Sequence, residues 1–193
     1  MALQIEEPDG ATPLSQEDTE GLRVALRTRG ELNEVEAMNI ARAMHWLRRA
    51  RPGDVLTEAF IYRLHSKMFG EVWTWAGAQR VRETTVGVPP HLIPMRLRDT
   101  LQDVRYWLEH RTFPLDEIGI RYHHRLVAVH PFPNRNGRHA RLAADDLMFR
   151  NGGAPLRWGG GDLLNRGDVR TRYMAALRDA DRGDYRALIE ACR

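Results

Sequence analysis

The stretch of this chain that most constrains its fold is residues 130–141, which read HPFPNRNGRHAR. A histidine precedes a Pro-Phe turn, and Asn136 and Gly137 stand where a new helix should begin. Arg138 and Arg141 follow three residues apart, so they project from one face of that helix. The first N–H groups of a helix have no partner inside it and bind anions, and arginine binds phosphate oxygens bidentately. The segment therefore predicts a helix–loop–helix unit that binds a phosphorylated ligand beside a histidine.

His130 is the predicted general base. A histidine with an ordinary pKa of ~6.5 accepts a hydroxyl proton at neutral pH. A lone histidine is more often structural, but the loop and the arginines that follow favour a functional role. Phe132 is predicted to anchor the loop in the core. Asn136 suits an N-cap, and Gly137 allows a phosphate to approach the backbone closely.

These residues resemble the signature of the Fic (Fido) family, HPFx(D/E)GNGRxxR. Upstream, LTEAFIYRLHSKMFG and VWTWAGAQRVRETTVGV resemble a helix and the hairpin "flap" that the family places around the motif. TRGELNEVEAMNI and WGGGDL resemble one bacterial subgroup, named "mobile mystery protein B". The resemblance implies an all-α (mainly α) helical bundle with one small β-hairpin flap. It also implies transfer of AMP from ATP to a Tyr, Thr or Ser hydroxyl of a target protein.

The resemblance also implies roles for individual residues, with His130 deprotonating the target hydroxyl. Four positions correspond to phosphate-binding positions of the family: Asn136, Gly137, Arg138 and Arg141. Four others belong to the flap that would align the target by strand addition: Thr84, Thr85, Val86 and Gly87. The implied co-substrate is ATP, and the implied metal is Mg²⁺.

Two residues depart from the family pattern. Asn134 replaces the usual acidic residue, so it is expected to be only a weak Mg²⁺ ligand. Arg135 replaces a glycine, which costs ~1 kcal/mol or more if the position needs a positive φ. Its guanidinium could instead bind the β- and γ-phosphates. A catalytically impaired nucleotide-binding or interaction protein is therefore an alternative. A phosphotransferase like Doc is another, although Doc motifs carry lysine where Gly137 stands.

Many members of the family carry an inhibitory helix with the motif (S/T)xxxE(G/N), whose glutamate pairs with the second motif arginine, here Arg141. No segment of this chain matches that motif cleanly. Glu20 and Glu31 are the candidates, because each lies near a serine or threonine at almost the required spacing. Ordinary surface charge on a helix is the alternative role for both.

Length and composition limit the remaining choices. A chain of 193 residues supports one domain, here an N-terminal arm over residues 1–30 and a Fic domain over 31–193. One cysteine excludes an internal disulfide, and no apolar run reaches the ~20 residues that span a bilayer. The N-terminus lacks a secretory pattern, so a cytoplasmic protein is expected. The net charge of +3 is spread over interleaved arginines, so nucleic acid is not the expected partner. The subgroup suggests a toxin with a helix-turn-helix antitoxin or regulator as partner; an oligomer is left open.

Helical periodicity starts at Glu34, and the apolar stripe Val35, Met38, Ala41 and Met44 predicts the buried face of the first helix. Thr57 is a predicted N-cap for the next helix, and Asp116 for the helix that leads to the motif. Residues 71–95, with their tryptophans and Thr-Thr-Val run, predict a β-hairpin. His139 is predicted on the outer side of the motif helix, and His124 as a buried, hydrogen-bonded residue.

Overall fold

The computed structural model describes residues 19–26, 28–158 and 168–193. Within them the chain forms seven α-helices and one 3₁₀ turn, Pro90–Leu92. The helices are α1 Arg29–Ala50, α2 Glu58–Phe69, α3 Ile93–His110, α4 Leu115–Val129, α5 Asn136–Arg150, α6 Asp168–Asp181 and α7 Arg186–Cys192. Among the residues described, the one β-type pairing is an isolated bridge between Leu22 and Trp73. The all-α prediction is confirmed. WGGGDL lies almost entirely outside the described residues.

Helices α4 and α5, which flank the motif, pack directly against each other, and the others surround this pair. Helix α1 packs on α2, α3 packs on α4, and α6 packs on α7. Inward residues of α4 and α5 such as Ile118, Tyr122, Ala140 and Leu147 are buried, as their spacing predicted. The motif loop is therefore held between two helices that share the core. No helix in the described ranges has the length and apolarity needed to cross a membrane.

Local signals set several helix ends. The Thr57 hydroxyl accepts a hydrogen bond from the Phe60 N–H at 3.2 Å, which confirms it as the N-cap of α2. The prediction for α4 is wrong: Pro114 is its N-cap, and Asp116 lies in the first turn with its carboxylate bound to Arg193. An acidic residue in the first turn is still favourable, because it faces the positive end of the helix dipole.

The predicted inner face of α1 is wrong. Met38 and Met44 are exposed, and the buried residues of the helix are Leu32, Glu36, Asn39, Ala43 and Leu47. The buried face is rotated because two polar residues on it find specific partners. Asn39, for example, donates to the Lys67 carbonyl and accepts from the Glu71 N–H, both at 3.2 Å, and so fastens α1 to the end of α2.

The predicted β-hairpin over residues 71–95 is also wrong, because no strand forms there. This segment is an irregular loop that leaves α2, passes over the motif and enters α3. A single side chain, Arg80, donates hydrogen bonds to the carbonyls of Arg82 and Val88, where a hairpin would use a facing strand. We keep the name flap for residues 82–88.

The predicted arm, residues 1–30, lies partly outside the described residues. Its described part is not loose, contrary to the prediction: the Arg23 N–H donates to the Val72 carbonyl, and the Thr74 N–H donates to the Gly21 carbonyl, both at 2.8 Å. Helix α1 begins inside the predicted arm at Arg29. Thr28 and Glu31 form a capping box at its start.

Candidate active site

His130 stands at the C-terminal end of α4. Its φ and ψ of 53° and 60° are left-handed, and its N–H still donates to the Leu126 carbonyl at 3.1 Å. Pro131 follows, so the helix cannot continue. The histidine is only 6% exposed. Burial, assisted by the positive charge of Arg80, lowers the pKa of His130 to about 4, against a weaker opposite effect of a hydrogen bond with the Val127 backbone. The imidazole is therefore neutral at pH 7 and can accept a proton, but it is a weaker base than the histidine of ordinary pKa that the sequence led us to expect.

The loop between His130 and α5 is closed by Asn136. Its side-chain oxygen accepts from the Phe132 N–H at 3.0 Å, and its amide donates to the Phe132 carbonyl at 2.9 Å. Asn136 is the first residue of the helix, and the N-cap is Arg135, which corrects the predicted cap. Phe132 is fully buried, as predicted. The amide side chain thus fixes the loop from within.

His65, on α2, holds the motif loop from outside. Its ring stacks on Phe132 with centroids 3.7 Å apart. The Gly77 N–H donates to its Nδ1 at 3.0 Å, so its Nε2 carries the hydrogen and donates to the Asn134 carbonyl at 3.2 Å. Burial lowers the pKa of His65 well below its ordinary value, which keeps this tautomer neutral. Sequence reasoning missed this residue, since nothing in its local pattern marks it.

Helix α5 begins with the groups expected of an anion site. Arg135 has a φ of 66° and a ψ of 12°, so this position adopts the left-handed conformation that glycine tolerates best. Gly137 follows in the first turn, where backbone N–H groups lack helical acceptors. A Cβ added to Gly137 would meet only the Arg141 guanidinium, at 3.7 Å. The packing of the protein itself therefore does not require a glycine here.

A buried carboxylate forms ion pairs with two arginines at the start of this helix. Glu36 of α1 is 0% exposed and accepts at Oε1 from Arg135 Nε at 2.7 Å, and at Oε2 from Arg138. The Trp73 indole N–H also donates to Oε1, at 2.6 Å. We call Glu36, Trp73, Arg135 and Arg138 the carboxylate clamp. A carboxylate between two guanidinium groups lies where those groups would bind phosphate oxygens.

The clamp is electrostatically consistent. Burial alone would raise the pKa of Glu36, but Arg135, Arg138 and the indole N–H lower it overall, so the group is ionised. Burial lowers the pKa of Arg138 to about 10 in spite of Glu36, and the guanidinium remains charged at pH 7. Removing one member would leave buried charge without its partner, which is the costly case.

The glutamates predicted to inhibit are not the ones in the clamp. Glu20 and Glu31 are both exposed, and Glu31 Oε2 accepts from the Thr28 N–H in the capping box. Glu36 was missed because the predicted inner face of α1 excluded it, and because Leu32 stands where the inhibitory motif has serine or threonine. The expected arginine partner also differs, since Glu36 binds Arg138 and Arg135 rather than Arg141.

Arg141 has different surroundings. It forms a hydrogen bond with the phenol of Tyr173 on α6, whose pKa burial raises to about 12 although Arg141 acts to lower it. The Tyr173 oxygen also lies 2.9 Å from His123 Nε2. The side chain of Arg141 still reaches the first turn of α5, as its distance to Gly137 shows. The second motif arginine is therefore positioned by a residue of α6, whereas the first pairs with Glu36 of α1.

Asn134 does not fit the predicted role of metal ligand. Its side-chain oxygen accepts from the Arg135 N–H at 2.8 Å and from the Arg135 guanidinium at 3.3 Å. These donors use the electron pairs that a cation would need. No group of three His, Cys, Asp or Glu residues in the described ranges could hold a metal ion.

His139 is buried, against the prediction, with Nε2 3.1 Å from the Ile61 carbonyl, whereas His124 is buried and hydrogen-bonded as predicted.

Two residues contact His130 from this side: Arg80, which precedes the flap, and Gly87 within it. Arg80, itself 2% exposed, donates through Nε to the His130 carbonyl at 2.6 Å, while its own N–H donates to the Pro131 carbonyl at 2.9 Å. Gly87 has a φ of 114°, and a Cβ there would lie 2.5 Å from the Cβ of His130. Thr84 Oγ1 donates to the Val86 carbonyl at 2.6 Å. Of the predicted flap residues, Gly87 therefore lies beside the predicted base.

The helical bundle, the His-Pro-Phe loop and the arginine-bearing helix start together define a Fic-type domain. Residues 55–148 match the model of the Fic/DOC family, so the chain carries a Fic/DOC family domain. It is 30% identical over 164 residues to protein adenylyltransferase fic-1 of Caenorhabditis elegans, an alignment that covers 82% of this chain and 31% of that protein. The relative protein adenylyltransferase Fic of Drosophila virilis is 29% identical over 167 residues, which cover 82% of this chain and 32% of the relative.

Solved structures share the fold. A Fic-1 structure from Caenorhabditis elegans aligns with a TM-score of 0.63 and 26% identity, over 89% of this chain and 50% of that one. A Fic domain with bound ADP from Bartonella quintana aligns with a TM-score of 0.66 and 18% identity, over 89% of this chain and 87% of that one. This chain spans less than a third of the length of the curated relatives described. The bacterial subgroup stays a prediction.

Proposed function

We propose that this protein transfers AMP from ATP to a hydroxyl group of a target protein. The observation that carries the proposal is the position of His130, a neutral imidazole at the end of α4, next to the first turn of α5 with its arginines. A base and a phosphate-binding helix start on one short loop suit attack on a nucleotide phosphate. The naming of relatives as protein adenylyltransferases supports the same reaction.

In the proposed reaction, the His130 imidazole takes the proton of the target hydroxyl. The hydroxyl oxygen attacks the α-phosphorus of ATP, the bond from that phosphorus to the β-phosphate oxygen breaks, and pyrophosphate leaves. Backbone N–H groups at Asn136 and Gly137, together with Arg138 and Arg141, would hold the phosphates and stabilise the charge that develops on them. The flap residues Thr84–Gly87 would pair with an extended target segment and present its hydroxyl.

The carboxylate clamp would inhibit this reaction. Glu36 occupies two of the guanidinium groups available to the triphosphate, so ATP would have to displace it to bind them. Arg135, the departure from the family pattern, then has a role in the resting protein. Its positive φ gives up some stability, and its guanidinium adds a second partner for Glu36.

The binding of ADP by a structural neighbour supports a nucleotide as ligand. Mg²⁺, if it takes part, would arrive with the triphosphate, since Asn134 is already engaged with Arg135.

Phosphate transfer in the manner of Doc is less favoured, because Gly137 replaces the lysine of that group. A catalytically impaired nucleotide-binding protein stays the second candidate, on the observation that Glu36 and Arg135 are paired. The toxin role, the helix-turn-helix partner, an oligomeric state and a cytoplasmic location stay predictions.

The test uses ATP labelled with ³²P at the α-phosphate, incubated with the purified chain, Mg²⁺ and a bacterial lysate. We expect label on protein from the native chain, none from His130→Ala, and more from Arg135→Gly, in which Glu36 has lost one partner. A control with the label at the γ-phosphate should leave protein unlabelled. Label transfer that persists in His130→Ala would refute the proposal. ATP binding without transfer in all three proteins would favour the second candidate.

A further inference from the structure

Arg80 makes an unusual set of contacts for a buried cation. Its guanidinium donates to three carbonyl oxygens, those of His130, Arg82 and Val88, and its backbone N–H donates to a fourth, that of Pro131. Two of these acceptors lie at the two ends of the flap, and the other two lie on the motif loop. One side chain therefore joins the flap to the residue proposed as the base.

Holding a guanidinium in this position is costly. Taking a cation out of water carries a large desolvation penalty, and carbonyl groups offset it only when the geometry is good. An apolar side chain would fill the space without that penalty. An arginine, however, offers a planar fork of five donors, so it can bind several carbonyls in fixed relative positions. The benefit of Arg80 is therefore geometric.

The hydrogen bonds of Arg80 also take the place of the β-hairpin that the sequence predicted over residues 71–95. The flap carbonyls of Arg82 and Val88 would be paired across a hairpin, but here both accept from the same side chain. Because Gly87 contacts His130 directly, a shift of the flap would move it relative to the imidazole. The position of the flap depends on one residue outside the motif.

We propose that Arg80 is a positioning residue, which fixes the flap relative to His130 so that a hydroxyl docked on the flap reaches the imidazole. This inference rests on the proposed function, and it names the residue that couples target docking to the base. It predicts that Arg80 governs transfer to the target without governing the affinity for the nucleotide. The phosphate-binding residues lie on α5 and hold no hydrogen bond to Arg80 in the part of the chain described.

Arg80 has a second effect on the same histidine. Burial, the larger cause, and the charge of Arg80 both lower the pKa of His130, and the hydrogen bond with the Val127 backbone on α4 raises it. On the flap, Glu83 is the acidic residue that acts on Arg80, and it raises the pKa of that guanidinium against burial, which lowers it. Replacing Arg80 by an uncharged residue should therefore raise the pKa of His130, whereas lysine should keep it low.

The experiment compares Arg80→Met and Arg80→Lys with the native protein. The pKa of His130 is measured by NMR titration of protein with ¹³C-labelled histidine, and the signal of His130 among the 8 histidines is assigned with His130→Ala. Hydrogen exchange of the flap amides, residues 82–88, reports how firmly the flap is held. Affinity for ATP and transfer of the α-phosphate label complete the set. Arg96→Met, which removes an exposed arginine from nearby α3, is the matched control.

We expect Arg80→Met to raise the pKa of His130, to speed exchange of the flap amides and to lower label transfer about a hundredfold, as misplacement by about 1 Å can do. Affinity for ATP should not change. Arg80→Lys should keep the low pKa but show the faster exchange, because an ammonium cannot reproduce the fork. If Arg80→Met does not fold, Arg80→Lys alone decides the proposal through flap exchange.

The proposal would be overturned if the flap amides of Arg80→Lys exchanged at the native rate. It would also be overturned if Arg80→Met left both the exchange of the flap amides and the pKa of His130 unchanged. The NMR and exchange measurements do not require transfer activity. A native chain that transfers no label would therefore count against the proposed function, while these two measurements would still decide the role of Arg80.

Discussion

A Cβ atom on Gly87 would lie 2.5 Å from the Cβ of His130, so the backbone of the flap passes too close to the proposed base to leave room for a side chain. Gly87 also has a φ of 114°, in a region that favours glycine. Both facts indicate that the contact between flap and histidine depends on the absence of a side chain at this position.

Gly87→Ala should displace the flap from His130. We expect label transfer to fall about a hundredfold, because the target hydroxyl would lose its position near the imidazole. Affinity for ATP should stay within about twofold, since the groups on α5 are untouched. Transfer of the α-phosphate label and calorimetric titration with ATP measure the two effects. Gly53→Ala is the control, because a Cβ at Gly53 meets nothing within 4 Å. Equal losses in both variants would contradict the contact.

Glu36→Gln should weaken the fold and strengthen nucleotide binding. The substitution leaves Arg135 and Arg138 without their carboxylate, and breaking a buried pair costs about 3–5 kcal/mol. The same change frees both guanidinium groups for phosphates, so ATP should bind at least about tenfold more tightly. Thermal unfolding with and without ATP measures both effects: the melting temperature should start lower and rise further with ATP than in the native protein.

Glu34→Gln is the matched control for that experiment. Glu34 lies on the same helix but is exposed, so its loss should change neither the melting temperature nor its response to ATP. Adenosine, which lacks phosphates, should raise the melting temperature of native protein and Glu36→Gln equally. A Glu36→Gln protein with native affinity for ATP would show that the clamp does not compete with the nucleotide.

Gly137→Ala should weaken the binding of ATP without destabilising the folded protein. Apart from the chain neighbours and the backbone of its own helix, no atom lies closer than 3.7 Å to the added Cβ, and alanine is favoured over glycine inside a helix by about 1 kcal/mol. The variant should therefore be as stable as the native protein or slightly more stable to urea. ATP binding should weaken, because a methyl group would stand where a phosphate approaches the backbone. Unchanged ATP affinity would place the phosphates elsewhere.

Acid should destabilise the protein through its buried histidines. Burial lowers the pKa of His139 to about 3 and that of His130 to about 4, and it lowers the pKa of His65 and His123 well below the ordinary value. As the pH falls below about 6.5, these histidines therefore bind protons in the unfolded chain before they do so in the folded protein. His130 and His139 should each reduce the free energy of unfolding by about 2 kcal/mol between pH 7 and pH 5, and His65 and His123 should act in the same direction.

Urea unfolding at pH 7 and pH 5 measures this loss. His139→Gln should reduce the difference between the two pH values by the contribution of one histidine, since an amide can still donate to the Ile61 carbonyl. His45→Gln, at an exposed position on α1, should leave the difference unchanged. The prediction fails if both variants show the same pH dependence as the native chain.

The motif region was predictable because its signals are local. A histidine before proline, a loop and an arginine-bearing helix start lie within twelve consecutive residues, and the missing glycine marked the backbone of Arg135, whose φ is positive, as a position of possible strain. Thr57 as a cap was equally local. Such features depend on the neighbouring residues, which the sequence displays directly.

Glu36 and the flap were not predictable in this way. Glu36 lies 99 residues from Arg135 along the chain, and only the packing of α1 brings the two together. An apolar stripe marked the wrong face of α1, because Glu36 and Asn39 are polar residues buried by specific partners. The residue types of the flap favour a strand. The path of the flap is instead determined by hydrogen bonds from the guanidinium of Arg80 to its backbone carbonyls.

The attachment of α1 has a thermodynamic consequence. If Glu36 and a nucleotide exclude each other at the same guanidinium groups, each weakens the binding of the other by an equal factor. The Thr28 capping box and the hydrogen bonds of Asn39 to the end of α2 favour the docked helix. If so, these contacts would reduce the affinity for nucleotide without contacting the nucleotide. Under the proposed function, the affinity for nucleotide would therefore depend in part on the cap of α1 and on Asn39, neither of which belongs to the proposed phosphate-binding residues.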